Sequence, residues 1–130
     1  MKFLTTLTAL FIFSFASAQI ENLESYPKDC DSKEFKTKNG EKEYVKCSFT
    51  CYLETELTEE TFKMVTWRVM PMAKYKCNFP PTFVPESLTF MEMDGEYKAI
   101  VRYTAKNAYG VPDDLTSYFT FDLEGNVTDL

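Results

Sequence analysis

Val45-Lys46-Cys47-Ser48-Phe49-Thr50-Cys51-Tyr52-Leu53-Glu54 decides the fold. Val45, Cys47, Phe49, Cys51 and Leu53 alternate with Lys46, Ser48, Thr50, Tyr52 and Glu54. A strict period of two puts one set on a core face and the other in water, which is a half-buried β-strand. Upstream, Asn39-Gly40 is a two-residue hairpin signal, because both positions tolerate positive φ. With Glu34-Phe35-Lys36-Thr37-Lys38 before it, this predicts an N-terminal hairpin. Lys33, Lys36, Lys38, Lys42 and Lys46 are interleaved with Glu34, Glu41 and Glu43, so the hairpin reads as a solvated, mixed-charge face.

The strand constrains the cysteines. Cys30, Cys47, Cys51 and Cys77 are the four in the chain. Cys47 and Cys51 stand four residues apart on one face, ~13 Å at ~3.3 Å per residue. A disulfide needs Cα atoms within roughly 7 Å, so these two do not bond each other. Each is expected to pair with Cys30 or Cys77. Cys30–Cys47 with Cys51–Cys77 is preferred, and the swap stays open.

That the cysteines are oxidised follows from the N-terminus. Lys2, the uncharged apolar run Phe3 to Phe15, and Ala16-Ser17-Ala18 are the charge, oil and small-residue order of an export signal cut before Gln19. The run is shorter than the roughly 20 residues of a membrane span. Residues 1–18 are therefore expected to be a signal peptide and 19–130 one secreted, extracellular domain without a membrane span. In that compartment an even cysteine count predicts two disulfides.

Downstream, Thr58 followed by Glu59 and Glu60 is an N-cap with acids in the first turn. Phe62, Val65 and Val69 follow at helical spacing. Val65, Trp67 and Val69 also alternate, so a strand competes, but the cap favours a helix over residues 59–69, ended by Pro71. Residues 71–86 hold Pro71, Pro80, Pro81 and Pro85 around Cys77 and read as an extended crossover. Leu88 to Met93, the Asp94-Gly95 turn, Tyr97 to Thr104 and Leu115 to Leu123 read as antiparallel strands, with a short strand after Glu124-Gly125-Asn126. The expected class is α+β: a curved antiparallel sheet, meander plus N-terminal hairpin, with one helix and two disulfides.

Function narrows by subtraction. The whole chain carries −6, and one unit more negative charge without Lys2. That disfavours nucleic acid as a partner. With no histidine, Ser-His and Cys-His catalysis and histidine-ligated metals are excluded. No catalytic residue, cofactor or metal site is expected. Asp113-Asp114 lies in a loop where a carboxylate could act, but Pro112-Asp113-Asp114 is ordinary turn chemistry. Asn126-Val127-Thr128 is an N-glycosylation sequon, so Asn126 is a candidate glycan site of a glycoprotein. Met70, Met72, Tyr75, Phe79 and Phe83 form the candidate binding surface, since methionine and aromatics line adaptable apolar sites.

Tyr97 to Thr104, the loop with Gly110, Ser117 to Leu123 and Asp122-Leu123-Glu124-Gly125-Asn126-Val127 resemble the closing strands of the NTF2-like superfamily. The resemblance covers residues 97–127 and implies a sheet curved around helices into a cone with a ligand pocket. It carries over no catalytic residue. Cys47-Ser48-Phe49-Thr50-Cys51 resembles the Cys-x3-Cys of insect odorant-binding proteins, whose all-helical fold departs from the strands here. The expected function is a secreted, non-enzymatic binding protein for an extracellular partner protein or a small hydrophobic ligand. The alternatives are a small-pocket enzyme of NTF2-like shape with a carboxylate base, and a secreted inhibitor or effector acting through a loop.

Overall fold

A computed structural model describes residues 25–130; the expected signal peptide lies outside the described residues. Two strands come first, β1 (Glu34–Lys38) and β2 (Tyr44–Tyr52), followed by one helix, α1 (Glu59–Tyr75). A 3-10 turn at Pro80–Thr82 leads into β3 (Val84–Met93), β4 (Glu96–Lys106), β5 (Pro112–Phe121) and β6 (Val127–Asp129). The six strands form one sheet in sequence order. Every neighbouring pair is antiparallel except β2 and β3, which run parallel with Phe49 opposite Leu88.

That parallel pair corrects the all-antiparallel expectation. Parallel neighbours require a crossover, and α1 supplies it. Among the described residues the architecture is α+β, a mixed six-stranded sheet with one helix on one face. Phe62, Val65, Val69 and Ala73 of α1 are buried, as are the alternate sheet residues Phe35, Cys47, Phe49, Leu88, Phe90, Val101 and Phe119. Aromatic rings hold one end of this core, with Phe90 centroids 5.1 Å from Phe49, 5.5 Å from Phe62 and 4.9 Å from Phe121. Ser48, Thr50, Arg102 and Thr116 lie on the other face and are exposed.

Thr58 caps α1 as expected, its hydroxyl accepting from the Thr61 N–H at 3.2 Å. The helix does not end at Pro71; it runs on to Tyr75 with Pro71 inside. Proline there removes one intrahelical bond, at a cost of ~3 kcal/mol or more. Continued burial of Met70, Ala73 and Cys77 on the core side offsets that cost. The extended crossover expected over 71–86 is consequently split among the last helical turn, the 3-10 turn and the start of β3.

The bridge is Cys30–Cys51, Cα atoms 5.1 Å apart. The preferred pairing, Cys30–Cys47 with Cys51–Cys77, is thereby overturned, and the exclusion of Cys47–Cys51 stands. In place of a second disulfide, Cys47 and Cys77 are buried free thiols. The longer helix explains Cys77: just past the C-cap Lys76, its Sγ reaches back to the Ala73 carbonyl at 3.6 Å. Burial pushes the Cys47 thiol up to about 12, with Glu86 adding to the shift. Burial raises that of Cys77 as well.

Asn39-Gly40 does turn the first hairpin, but not as a two-residue loop. Asn39 and Glu43 close it, the Asn39 N–H donating to the Glu43 carbonyl at 2.8 Å. The Asn39 side-chain oxygen accepts the N–H groups of Glu41 and Glu43 at 2.9 and 3.0 Å. Lys42, not Gly40, takes the left-handed conformation, at φ 64°. Gly40 is required for space: a Cβ there would sit 2.3 Å from the Pro80 carbonyl oxygen and 2.4 Å from the Pro81 carbonyl. Asp94-Gly95, by contrast, has both residues at positive φ, 55° and 78°, as its two-residue turn demands.

Candidate functional site

One edge of the sheet leaves a seam between β1 and α1. Ser25 to Pro27 bridge it near the start of α1. The Ser25 N–H donates to the Lys36 carbonyl at 3.3 Å and its hydroxyl accepts the Lys36 N–H at 2.8 Å. Tyr26 donates to Glu59 at 3.2 Å, and Lys63 sits 5.6 Å from its ring centre. Pro27 is fully buried. Towards the C-terminal end of α1 the seam is open, as a cleft of about 310 Å³.

Trp67, Met70, Pro71 and Phe83 give the cleft its apolar lining. Helical geometry explains three of them, because positions 67, 70, 71 and 74 fall on one stripe of α1. Phe83 is brought in by the Gly40 N–H, which donates to the Phe83 carbonyl at 2.7 Å. Lys38, Lys42 and Lys74 also line the cleft, with Thr37, Asn39 and Tyr75 between them. No lining residue is acidic. Among the described residues the ion pairs are Lys46–Glu34 at 3.8 Å and Lys76–Asp129, so none involves the three cleft lysines. Lys38 lies 5.4 Å from the Tyr44 ring centre and Lys74 lies 6.0 Å from that of Tyr75. The Trp67 indole Nε1 is buried and has no hydrogen-bond partner.

The five candidate binding residues are not one exposed surface. Met70 (3% exposed) and Phe83 (1%) are buried, and Tyr75 stands out at 74%; all three border the cleft. Met72 falls on the other side of Pro71, in a more open recess with Trp67, Arg68, Asn126 and Val127. Phe79 lines neither space and is 45% exposed beside the 3-10 turn. Asn126 is exposed in the β5–β6 turn; its amide donates to Asp122 at 3.0 Å, which with the other Asn126 contacts holds the Asp122 carboxyl below its ordinary range.

Asp113 and Asp114 begin β5 and are exposed, with Asp113 accepting from Asn107 at 3.0 Å. β6 pairs only with Phe119 to Phe121. Pro112 and the two acids therefore sit where the outer edge of β5 has no β6 partner, and proline and charge there discourage edge-to-edge pairing.

Sequence reasoning missed Trp67 and the lysines. Trp67 was consumed by the helix-or-strand ambiguity, and Lys38 and Lys42 by the mixed-charge hairpin. The available signal was the helical stripe of Trp67, Met70, Pro71 and Lys74, which places a cation two turns from an indole on the same face.

Among the described residues no helix is long and apolar enough to cross a membrane. Comparison with protein-family models, curated proteins and solved structures finds no match.

Proposed function

We propose that the chain is a secreted, non-enzymatic binding protein that holds a small ligand in the cleft between β1 and α1. The observation that carries this reading is the cleft itself, with Trp67, Met70, Pro71 and Phe83 on its apolar side and no acidic residue in its lining. At about 310 Å³ the cleft matches the small end of ligand pockets, about 300–1,000 Å³. With no carboxylate in the lining, a carboxylate base has no place there. Native mass spectrometry of protein purified from its natural fluid tests the reading. It should show a bound mass that denaturation releases. A bare chain whose Trp67 emission also ignores a panel of six- to twelve-carbon alcohols and acids would refute it. The same spectra should show a mature chain beginning at Gln19 and a glycan on Asn126.

A second reading, a protein contact through a loop, is favoured by Tyr109. It is 91% exposed at the β4–β5 loop, yet the loop is fixed. Asn107 accepts the N–H groups of Tyr109 and Val111 at 2.9 and 3.1 Å, and Gly110 turns at φ 76°. A rigidly presented aromatic is what anchors protein interfaces. Tyr109→Ala should leave stability unchanged and abolish capture of such a partner.

A further inference from the structure

From the charges around the cleft we infer the ligand class: a small amphipathic anion, with a carboxylate or sulfate head on a short apolar body. This rests on the cleft being the binding site.

The chain is net acidic, yet three lysines and no acid border this site: Lys42 in the hairpin turn, Lys74 on α1 and, at its rim, Lys38, whose Nζ lies over the Tyr44 ring. Lys38 and Lys74 are half-buried. Partial burial strengthens a charge's pull on an incoming anion, because the local dielectric is lower than that of water. Among the described residues no carboxylate pairs with them, so a ligand's head group meets no internal competitor.

Lys42 supplies an independent observation. Its φ of 64° belongs to glycine, asparagine or aspartate. The turn's hydrogen bonds join Asn39 to the backbone of Glu41, Lys42 and Glu43, and none uses the Lys42 side chain. A long cationic side chain kept in a conformation that favours glycine, on the wall of a cleft, is strain held at a site.

Three eight-carbon probes separate the possibilities: octanoate, octan-1-ol and octylammonium, titrated against the full secreted chain with Trp67 emission and calorimetry as readouts. Octanoate should bind at least tenfold more tightly than octan-1-ol, with octylammonium weakest. Raising salt from 20 to 300 mM should shrink the octanoate advantage several-fold. Lys42→Gly should weaken octanoate about three- to tenfold while the thermal midpoint holds or rises, and Lys38→Ala/Lys74→Ala should weaken it further. Equal binding of octanoate and octan-1-ol would overturn the anion inference and leave the cleft standing. Octanoate binding that the lysine variants do not change would place the anion elsewhere and overturn it too. Failure of all three probes would remove the cleft itself.

Discussion

Gly40→Ala tests how the cleft is built. The added Cβ meets backbone, the Pro80 and Pro81 carbonyls at 2.3 and 2.4 Å, so no side-chain rotation relieves it. The hairpin must move away from the 80–83 segment. That motion breaks the 2.7 Å bond from the Gly40 N–H to the Phe83 carbonyl, worth about 0.5–1.5 kcal/mol. It also loosens Phe83, which is almost wholly buried. Complete truncation of a buried phenylalanine costs about 3–5 kcal/mol, so partial separation should cost about 1–2. The expected loss is about 2–3 kcal/mol. For a domain of this size that lowers the melting temperature by roughly 10 °C. Urea unfolding followed by Trp67 emission and far-ultraviolet dichroism measures it. Gly95→Ala is the control: φ is 78° but nothing lies within 4 Å, so only the left-handed penalty of roughly 1 kcal/mol applies. If Gly40→Ala proves no worse than Gly95→Ala, the contact between hairpin and 3-10 turn does not hold the cleft.

Other consequences are equally direct. Alkylation in urea without reductant should label two thiols, Cys47 and Cys77, and with reductant four; no label without reductant would mean a second bridge. In the native state both should resist alkylation near pH 8, since burial keeps the Cys47 thiol protonated up to about pH 12. Cys30→Ala should cost about 3 kcal/mol, from the chain-entropy relation for a loop of this length, and the variant should lose the wild type's sensitivity to reductant. The N–H of Thr55, then its hydroxyl and the N–H of Glu54, hold the Glu92 carboxyl below its ordinary value. A lowered folded value stabilises the protein above the unfolded value and is lost as pH falls through the folded one. Glu92→Gln should therefore destabilise at pH 7 and converge with the wild type on acidification; an equal gap at both pH values would refute the assignment.

The strands β2, β4 and β5, the Asp94-Gly95 turn and the Thr58 cap were legible because each is a local signal: a period, a φ requirement, a side chain beside its N–H. The parallel β2–β3 pairing was not, since register between distant strands is set by α1 packing rather than by either strand's pattern. Pro71 misled for the same reason. Its local penalty is real, but burial of Met70, Ala73 and Cys77 outweighs it. The disulfide was half legible: strand geometry removed Cys47–Cys51, and only the tertiary placement of Cys30 chose Cys51 over Cys47. Of the site, methionine and aromatic content pointed to Met70, Tyr75 and Phe83. It could not point to Lys38 or Lys42, which reach the cleft rim only because the end of the hairpin is held beside α1 in the folded chain.

The most direct test of the cleft as binding site is a 1H–15N NMR titration of the isotope-labelled protein with octanoate. The Trp67 indole resonance should shift with the backbone resonances of Lys38, Asn39, Lys42 and Lys74, while those of the β3–β4 turn at Asp94-Gly95 stay still. An unmoved indole resonance, or shifts centred on Asn126 and Val127 instead, would contradict the account.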